Sequence, residues 1–417
     1  MTTTEHADDD TDPTALSIED ARARILAALA PLDACERLPS GQARGRVTAI
    51  DILCPMDVPR FRASAMDGYA LRHAEHDRTL RVTGRSLAGH PGADRLPEHG
   101  CVRITTGARV PDDADTVVQQ ENVARDGETV RVTVAPTPGL HVRAIGSDYS
   151  RGSTLLARGT RLAAAELALL AAHGLSSVEV RRPLRVALFS TGDELIEAGE
   201  TLGPGQIHDA NRALLEALLA GPSVEIDDLG ICADSLEALE RTLDAAHAAD
   251  LVVASGGVSV GEADHVRSAL EARGEIALWK IAMKPGRPLT FGRTDQGQAF
   301  FGLPGNPVSA AITALMFVRP ALEHLLGLPT SGLPPLRARL ASALGKRPGR
   351  VEYQRGVLET APDGEARVTT TGLQDSHALG SLARANCLIE LPLTSSGAAV
   401  GDTVTVHPFA HFANPPL

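Results

Sequence analysis

The stretch Arg185-Val-Ala-Leu-Phe-Ser-Thr-Gly-Asp-Glu194 decides how this chain is read. An unbroken apolar run of strand length ends in a glycine and two acids, and a helical pattern follows at Arg212–Leu219. The same order recurs along the chain. Val224–Ile231 precedes Ser235–Ala248, Leu251–Ala254 precedes His265–Ala272, and Phe300–Leu303 precedes Ser309–Leu326. Continuous apolar strands alternating with helices predict parallel pairing through crossover helices, hence an open doubly wound α/β sheet over residues 184–327. Ligands of such sheets sit beyond the carboxyl ends of the strands, so the loops there are the place to look for chemistry.

Three of those loops are informative. Ser190-Thr-Gly-Asp-Glu194 puts Asp193 and Glu194 directly after a buried strand, a donor set that suits a hard divalent cation such as magnesium; the alternative is two acids capping or solvating a turn. Ser255-Gly-Gly-Val-Ser-Val-Gly-Glu-Ala-Asp264 offers Ser255, Gly256, Gly257 and Ser259 ahead of a helix start, the makings of a phosphate cradle, with Asp264 placed either to cap the helix or to hold a metal. It lacks the Gly-Lys-Ser/Thr ending of a Walker A loop and is not a dinucleotide fingerprint. In Leu303-Pro-Gly-Asn-Pro-Val-Ser309, Pro304 and Pro307 restrict the backbone and Asn306 can hydrogen-bond a ring or a phosphate. Beside these loops lies Lys280-Ile-Ala-Met-Lys-Pro-Gly-Arg-Pro-Leu289. Its Lys280, Lys284 and Arg287 form a rigid basic pocket in a chain of net charge −12, and it reads as an anion site.

Further outward, 417 residues exceed one ordinary core and predict two to four domains. Apolar content of 43% is that of a soluble globular protein, while 3% aromatics and the acidic balance disfavour nucleic-acid binding. Cys35, Cys54, Cys101, Cys232 and Cys387 are scattered and form no CxxC, so reduced, mostly buried thiols are expected rather than a disulfide framework or a thiolate zinc site. Met1 to Thr14 reads as a disordered acidic leader, no apolar run is long enough to cross a bilayer, and the compartment expected is the cytoplasm.

Leu16–Leu32 and Leu162–His173 are helical patterns expected to pack together as a small helical linker domain (residues 15–46 and 157–183). Residues 47–156 change to short β-like runs with Gly, Pro and Asp between them, a β-rich domain. After the Pro-rich Leu328–Leu336, residues 328–417 read as a C-terminal all-β domain. In the β-rich part, Pro59-Arg-Phe-Arg-Ala-Ser-Ala-Met-Asp-Gly-Tyr-Ala70 surrounds a buried-looking acid, Asp67, before a turn at Gly68; Thr105-Thr-Gly-Ala108 and Gly146-Ser-Asp148 are further tight loops. By themselves these could be ordinary turns. His208 and His265 read as helix-end residues, and neither HExxH nor GxSxG occurs. Electrostatic, metal-assisted chemistry on a phosphate-bearing substrate is what remains.

Taken in order, Ser64-Ala-Met-Asp-Gly-Tyr69, Thr106-Gly-Ala108, Ser190-Thr-Gly-Asp-Glu-Leu195, Ser255-Gly-Gly-Val-Ser-Val-Gly261, Lys280–Pro288 and Leu303-Pro-Gly-Asn-Pro307 resemble the MoeA/gephyrin E-domain family over nearly the whole chain. The resemblance implies a molybdopterin molybdenumtransferase. Adenylylated molybdopterin would be bound, molybdate inserted into its dithiolene and AMP released with magnesium, by an elongated four-domain homodimer whose site lies between the α/β domain of one subunit and the β-rich domain of the other. It implies that Asp67, Thr106 and Asp148 form the second subunit's wall. Asp193, Glu194 and Asp264, with Asp234, would face magnesium and phosphates, and Ser255, Gly256, Gly257 and Ser259 would cradle the adenylate. Lys280, Lys284 and Arg287 would hold the pterin phosphate or molybdate, Pro304 and Pro307 would shape the pocket, and Arg355 and Ser376 would line the cleft. Tyr353 and His208 stand where the family pattern leads one to expect Phe and Tyr. Cofactor-biosynthesis proteins and apo-molybdoenzymes are the further partners implied. The alternatives are a tungstate-inserting paralogue, a hydrolase of pyridine-nucleotide or ADP-ribose type, and a non-catalytic molybdopterin-binding scaffold.

Overall fold

The computed structural model describes residues 12, 14–256, 274–330 and 334–409. The helix expected at His265–Ala272 lies outside them, as do Gly257, Ser259, Asp264 and His265.

The central sheet has six strands in the order Val224–Cys232, Leu184–Thr191, Leu251–Ser255, Ala299–Leu303, Pro288–Thr294, Gly274–Lys280. The first four are parallel, as the strand–helix alternation predicts. The last two are not: Pro288–Thr294 runs antiparallel to both neighbours, so the expected all-parallel sheet carries a hairpin at one edge. A short connection such as residues 281–287 can return only as a hairpin, because a parallel crossover needs a dozen residues or more.

Alternate side chains of Leu184–Thr191 serve two cores. Val186 and Leu188 face one core with Leu251 and Val253, whereas Ala187 and Phe189 pack with Leu239, Val252 and Phe300 on the other side. Both faces are covered at the centre of the sheet, where Leu251–Ser255 and Ala299–Leu303 are buried at every position, while the edge strand Val224–Cys232 carries Glu225, Asp227 and Asp228. The first core also holds Ile18, Ala21 and Ile25 of the first helix, Ile18–Ala27. Ser17 caps that helix by accepting the Asp20 N–H at 3.0 Å.

The first helix therefore belongs to the α/β core and does not pack with the second, Ala164–Ala172, contrary to expectation; Leu170 sits instead in a separate core with Cys54, Leu155, Val178 and Val180. Between them Cys35–Pro39 pairs antiparallel with Ser177–Arg181, so this region is held by strands as much as by helices. The helix Pro307–Leu325 is long and apolar enough, by length and composition, to cross a bilayer, contrary to the sequence reading; 83% of its apolar window is buried inside the protein, and it is a core helix here.

The β-rich part is a six-stranded sheet in which Gly68–Leu71 is an inner strand. Gly68 is thus not a turn: a Cβ there would lie 1.9 Å from the Val118 carbonyl oxygen, so only glycine allows the strands to approach. In the C-terminal part, Val351–Thr360 pairs with both Ala366–Thr370 and Cys387–Leu391, closing the sheet on itself. A short helix, Leu379–Arg384, adds to this part, which the sequence reads as all-β. Cys54, Cys101, Cys232 and Cys387 are buried and Cys35 is exposed. Burial pushes the Cys101 and Cys387 thiols up to about 12. Cys35 is also raised, because its S–H donates to the Glu179 carboxylate at 3.3 Å. Alkylation of the native protein should therefore be slow and confined to Cys35, and Cys35→Ser should abolish it by mass spectrometry.

Candidate active site

The strands end in register. Ser190 is opposite Ser255, Ser255 is opposite Leu303, and Lys280 is opposite Pro288, so the loops at 191–194, 255–256, 281–287 and 304–307 emerge along one edge of the sheet. The Gly256 N–H donates to the Leu303 carbonyl at 3.0 Å, extending the pairing one residue. Gly256 has φ +94, and a Cβ there would be 2.4 Å from the Thr191 carbonyl oxygen. Gly256→Ala should destabilise by about 1–3 kcal/mol, readable in a denaturant melt, and impair the site together with it. Among the described residues the buried Ser190 and Thr191 hydroxyls at this edge have no hydrogen-bond partner, an unusual cost inside a fold.

Asp193, Glu194 and Asp234 are all exposed. Asp193 Oδ1 accepts the Asp234 N–H at 3.1 Å, so it ties two loops together. Among the described residues no three His, Cys, Asp or Glu side chains group closely enough to hold a metal ion. His208 is in a short strand, Ile207–His208, with Nδ1 3.0 Å from the Glu197 carbonyl, and not at a helix end.

The basic hairpin is engaged by Asp12, one of the two described residues of the stretch that reads, in sequence, as a disordered leader. Asp12 Oδ2 accepts from Lys280 Nζ and from Arg287 Nη2, each at 3.0 Å. The Leu16 N–H donates to the Lys280 carbonyl and the Ala282 N–H to that of Leu16, both at 2.8 Å. Hydrogen bonds from the Thr14 hydroxyl and then Lys280 hold the Asp12 carboxyl far below the usual carboxylate range. Lys284 Nζ lies 3.5 Å from Glu352 of the C-terminal part, and Met283–Lys284 pairs with Val351 and Glu352.

Pro304 is buried, Asn306 is exposed and stands just before the helix, and Pro307 occupies its first turn, where a missing N–H costs nothing. The Val308 N–H donates to the Ser376 carbonyl at 3.1 Å, which brings Ser376 to the helix start. Arg355 does not line the cleft as expected. It is fully buried, and its guanidinium donates to the carbonyls of Leu373, Gln374 and Asp375 at 3.0–3.1 Å and to Ser381 Oγ at 3.3 Å, shaping the loop that carries Ser376.

Asp67, Thr106 and Asp148 are exposed on the β-rich part, so Asp67 is not the buried acid expected. Asp67 Oδ1 accepts the Thr106 N–H at 2.7 Å and its hydroxyl at 2.9 Å, and these bonds hold the carboxyl below its ordinary range. Among the described residues no hydrogen bond or ion pair joins Asp67, Thr106 or Asp148 to the sheet-edge loops.

Sequence reasoning missed Asn211. Its side chain Nδ2 donates to Ser255 Oγ at 2.8 Å and to the Gly305 carbonyl at 2.7 Å. The only local signal is a buried-type position occupied by an amide at the start of an amphipathic helix.

Residues 16–174 match the MoeA N-terminal region (domain I and II), 187–324 a probable molybdopterin binding domain, and 337–409 the MoeA C-terminal region (domain IV). A molybdopterin molybdenumtransferase of Haemophilus influenzae is 40% identical over 402 residues, covering 95% of this chain and 99% of the relative. A Dictyostelium discoideum gephyrin is 35% identical, covering 86% of this chain and 57% of that protein. Among solved structures, a molybdopterin biosynthesis MoeA protein from Pyrococcus horikoshii superposes with TM-score 0.81 at 27% identity, covering 94% of this chain and 100% of the other. With three matched regions in order and near-complete coverage, the chain belongs to the MoeA family.

Proposed function

We propose that this protein is a molybdopterin molybdenumtransferase of molybdenum cofactor biosynthesis, acting in the cytoplasm. It would bind adenylylated molybdopterin, pass molybdate to the dithiolene sulfurs and release AMP. The observation that carries this reading is the convergence, at one sheet edge, of the Gly256 turn, the Pro304–Pro307 turn, the two acids after Thr191 and the Lys280–Arg287 hairpin.

In this reading Lys280, Lys284 and Arg287 neutralise tetrahedral oxyanions, for which charge-assisted N–H donors are suited. Ser255 and Gly256 border the adenylate. The orphaned hydroxyls of Ser190 and Thr191 are spare hydrogen-bonding capacity at the same edge. Asp193 and Glu194, with Asp234 beside them, are the described groups that would hold magnesium. Oxygen donors fit it, and an ion that is usually bound by one or two carboxylates plus substrate phosphates needs no larger cage. Bound there, magnesium would neutralise the phosphates and polarise the bond that breaks.

The wall carrying Asp67, Thr106 and Asp148 would come from a second copy, since among the described residues of one chain it has no bond to the sheet edge. Molybdate-dependent AMP release by the purified protein tests the activity, with tungstate in a parallel arm; tungstate-only stimulation would reassign the metal. Co-expressed Asp67→Ala and Lys284→Ala chains test the shared site. Mixed dimers should regain activity that neither variant shows alone, and their failure to do so would confine the site to one subunit.

A further inference from the structure

Three of the four loops at the sheet edge are joined by one short segment that no motif marks. Ile207 N–H donates to the Glu194 carbonyl at 2.8 Å, and Asp209 N–H to that of Ile196 at 3.0 Å, fixing the chain that follows the two acids. Asp209 Oδ1 then accepts the Asn211 N–H at 2.9 Å, which orients Asn211. Both hydrogens of the Asn211 amide are used, one on Ser255 Oγ at 2.8 Å and one on the Gly305 carbonyl at 2.7 Å. Asn211 is nearly buried, at 9% exposure, so these bonds face little competition from water.

We propose that Asn211 is the positioning residue of the candidate site, setting the separation of the serine–glycine and proline turns that the proposed reaction uses. The proposal rests on the function proposed above. A planar amide has two donors in fixed geometry, which is what bridging two loops requires. A carboxylate of the same shape has none and would face the Gly305 carbonyl with like partial charge.

The test compares wild type with Asn211→Asp and Asn211→Ala. It measures kcat and KM for molybdate, and amide hydrogen exchange of 251–256 and 303–307 in the ligand-free protein. Both variants should lose roughly tenfold or more in kcat/KM, as expected for misplaced reacting groups. Exchange should rise in both segments together while 184–190 stays protected. Unchanged activity and exchange, or a uniform rise throughout the domain with no selective loosening, would overturn the proposal. If the wild type released no AMP, the functional reading would fail, and the exchange comparison would still decide whether Asn211 clamps the loops.

A separate observation concerns Asp12, whose carboxylate is seated on Lys280 and Arg287, two of the three cations assigned to substrate oxyanions. The geometry points to an intramolecular competitor: the Asp12 carboxylate covers part of the anion site, and an oxyanion must displace it to use both cations. This too rests on the anion-site reading. Calorimetric titration of full-length wild type and Asp12→Asn with molybdate alone tests it. The variant should bind roughly two- to fivefold tighter, the scale of an exposed ion pair. Equal or weaker binding would overturn the competitor. Absence of binding by both proteins, and by Lys280→Ala, would remove the anion site itself and the competitor with it.

Discussion

Asp67→Asn should cost about a hundred- to ten-thousandfold in molybdate-dependent AMP release while leaving the unfolding midpoint within the small range of surface substitutions. The two halves of that expectation have different origins. Asp67 is exposed and belongs to no core, so its neutral isostere removes charge without removing packing. Yet its carboxylate is not idle: the Thr106 N–H and hydroxyl both converge on Oδ1, leaving Oδ2 for a substrate, and Arg103 adds a favourable field. The Thr106 bonds lower the folded-state value below the ordinary carboxylate range. The stability this contributes is therefore present above the unfolded value near 3.9 and is lost as pH falls through the lower folded value. A role that depends on ionised Asp67 should accordingly show no acid limb above about pH 5 in the rate profile. Full activity in Asp67→Asn would exclude Asp67 from the chemistry.

Arg355→Ala should be the most destabilising of the single substitutions considered, by about 3–5 kcal/mol, with lost activity following from lost structure. The side chain is fully buried and satisfies three consecutive loop carbonyls as well as Ser381. Removing it empties a fully buried site and takes the donors from three carbonyls of a partly buried loop, where a lost partner costs up to about 1–3 kcal/mol each. Burial lowers the Arg355 value from its usual position, but an arginine stays charged in a protein. The loop it holds delivers the Ser376 carbonyl to the Val308 N–H at the start of the long helix. Denaturant melts and amide exchange over 371–381 check this; a variant with native stability and a selective rise in KM would instead restore Arg355 to a ligand role.

Arg355 and Asp67 also mark where motifs stop informing. Both stand out along the chain, yet the surroundings that the sequence suggests for them are reversed in the fold. The buried residue is the arginine, because three carbonyls turn inward to meet it. The acid expected inside is outside, because Gly68 starts an inner strand and Asp67 is left at the strand's exposed end.

The alternation of apolar strands with amphipathic helices predicts the α/β sheet without any tertiary information, since a strand covered on both faces must be apolar at every position. The strand ends are legible for the same reason: Gly, Pro and acidic residues mark where burial stops, and the loops at 191–194, 255–256 and 304–307 do emerge on one edge. The antiparallel hairpin at 288–294, the closed C-terminal sheet and the packing of the first helix on the α/β core were decided only by long-range contacts. So was the Asn211 bridge, whose partners lie 44 and 94 residues away. No local propensity encodes a hydrogen bond across such a distance; it exists because the sheet brings three strand ends side by side and leaves polar groups that one buried amide can satisfy.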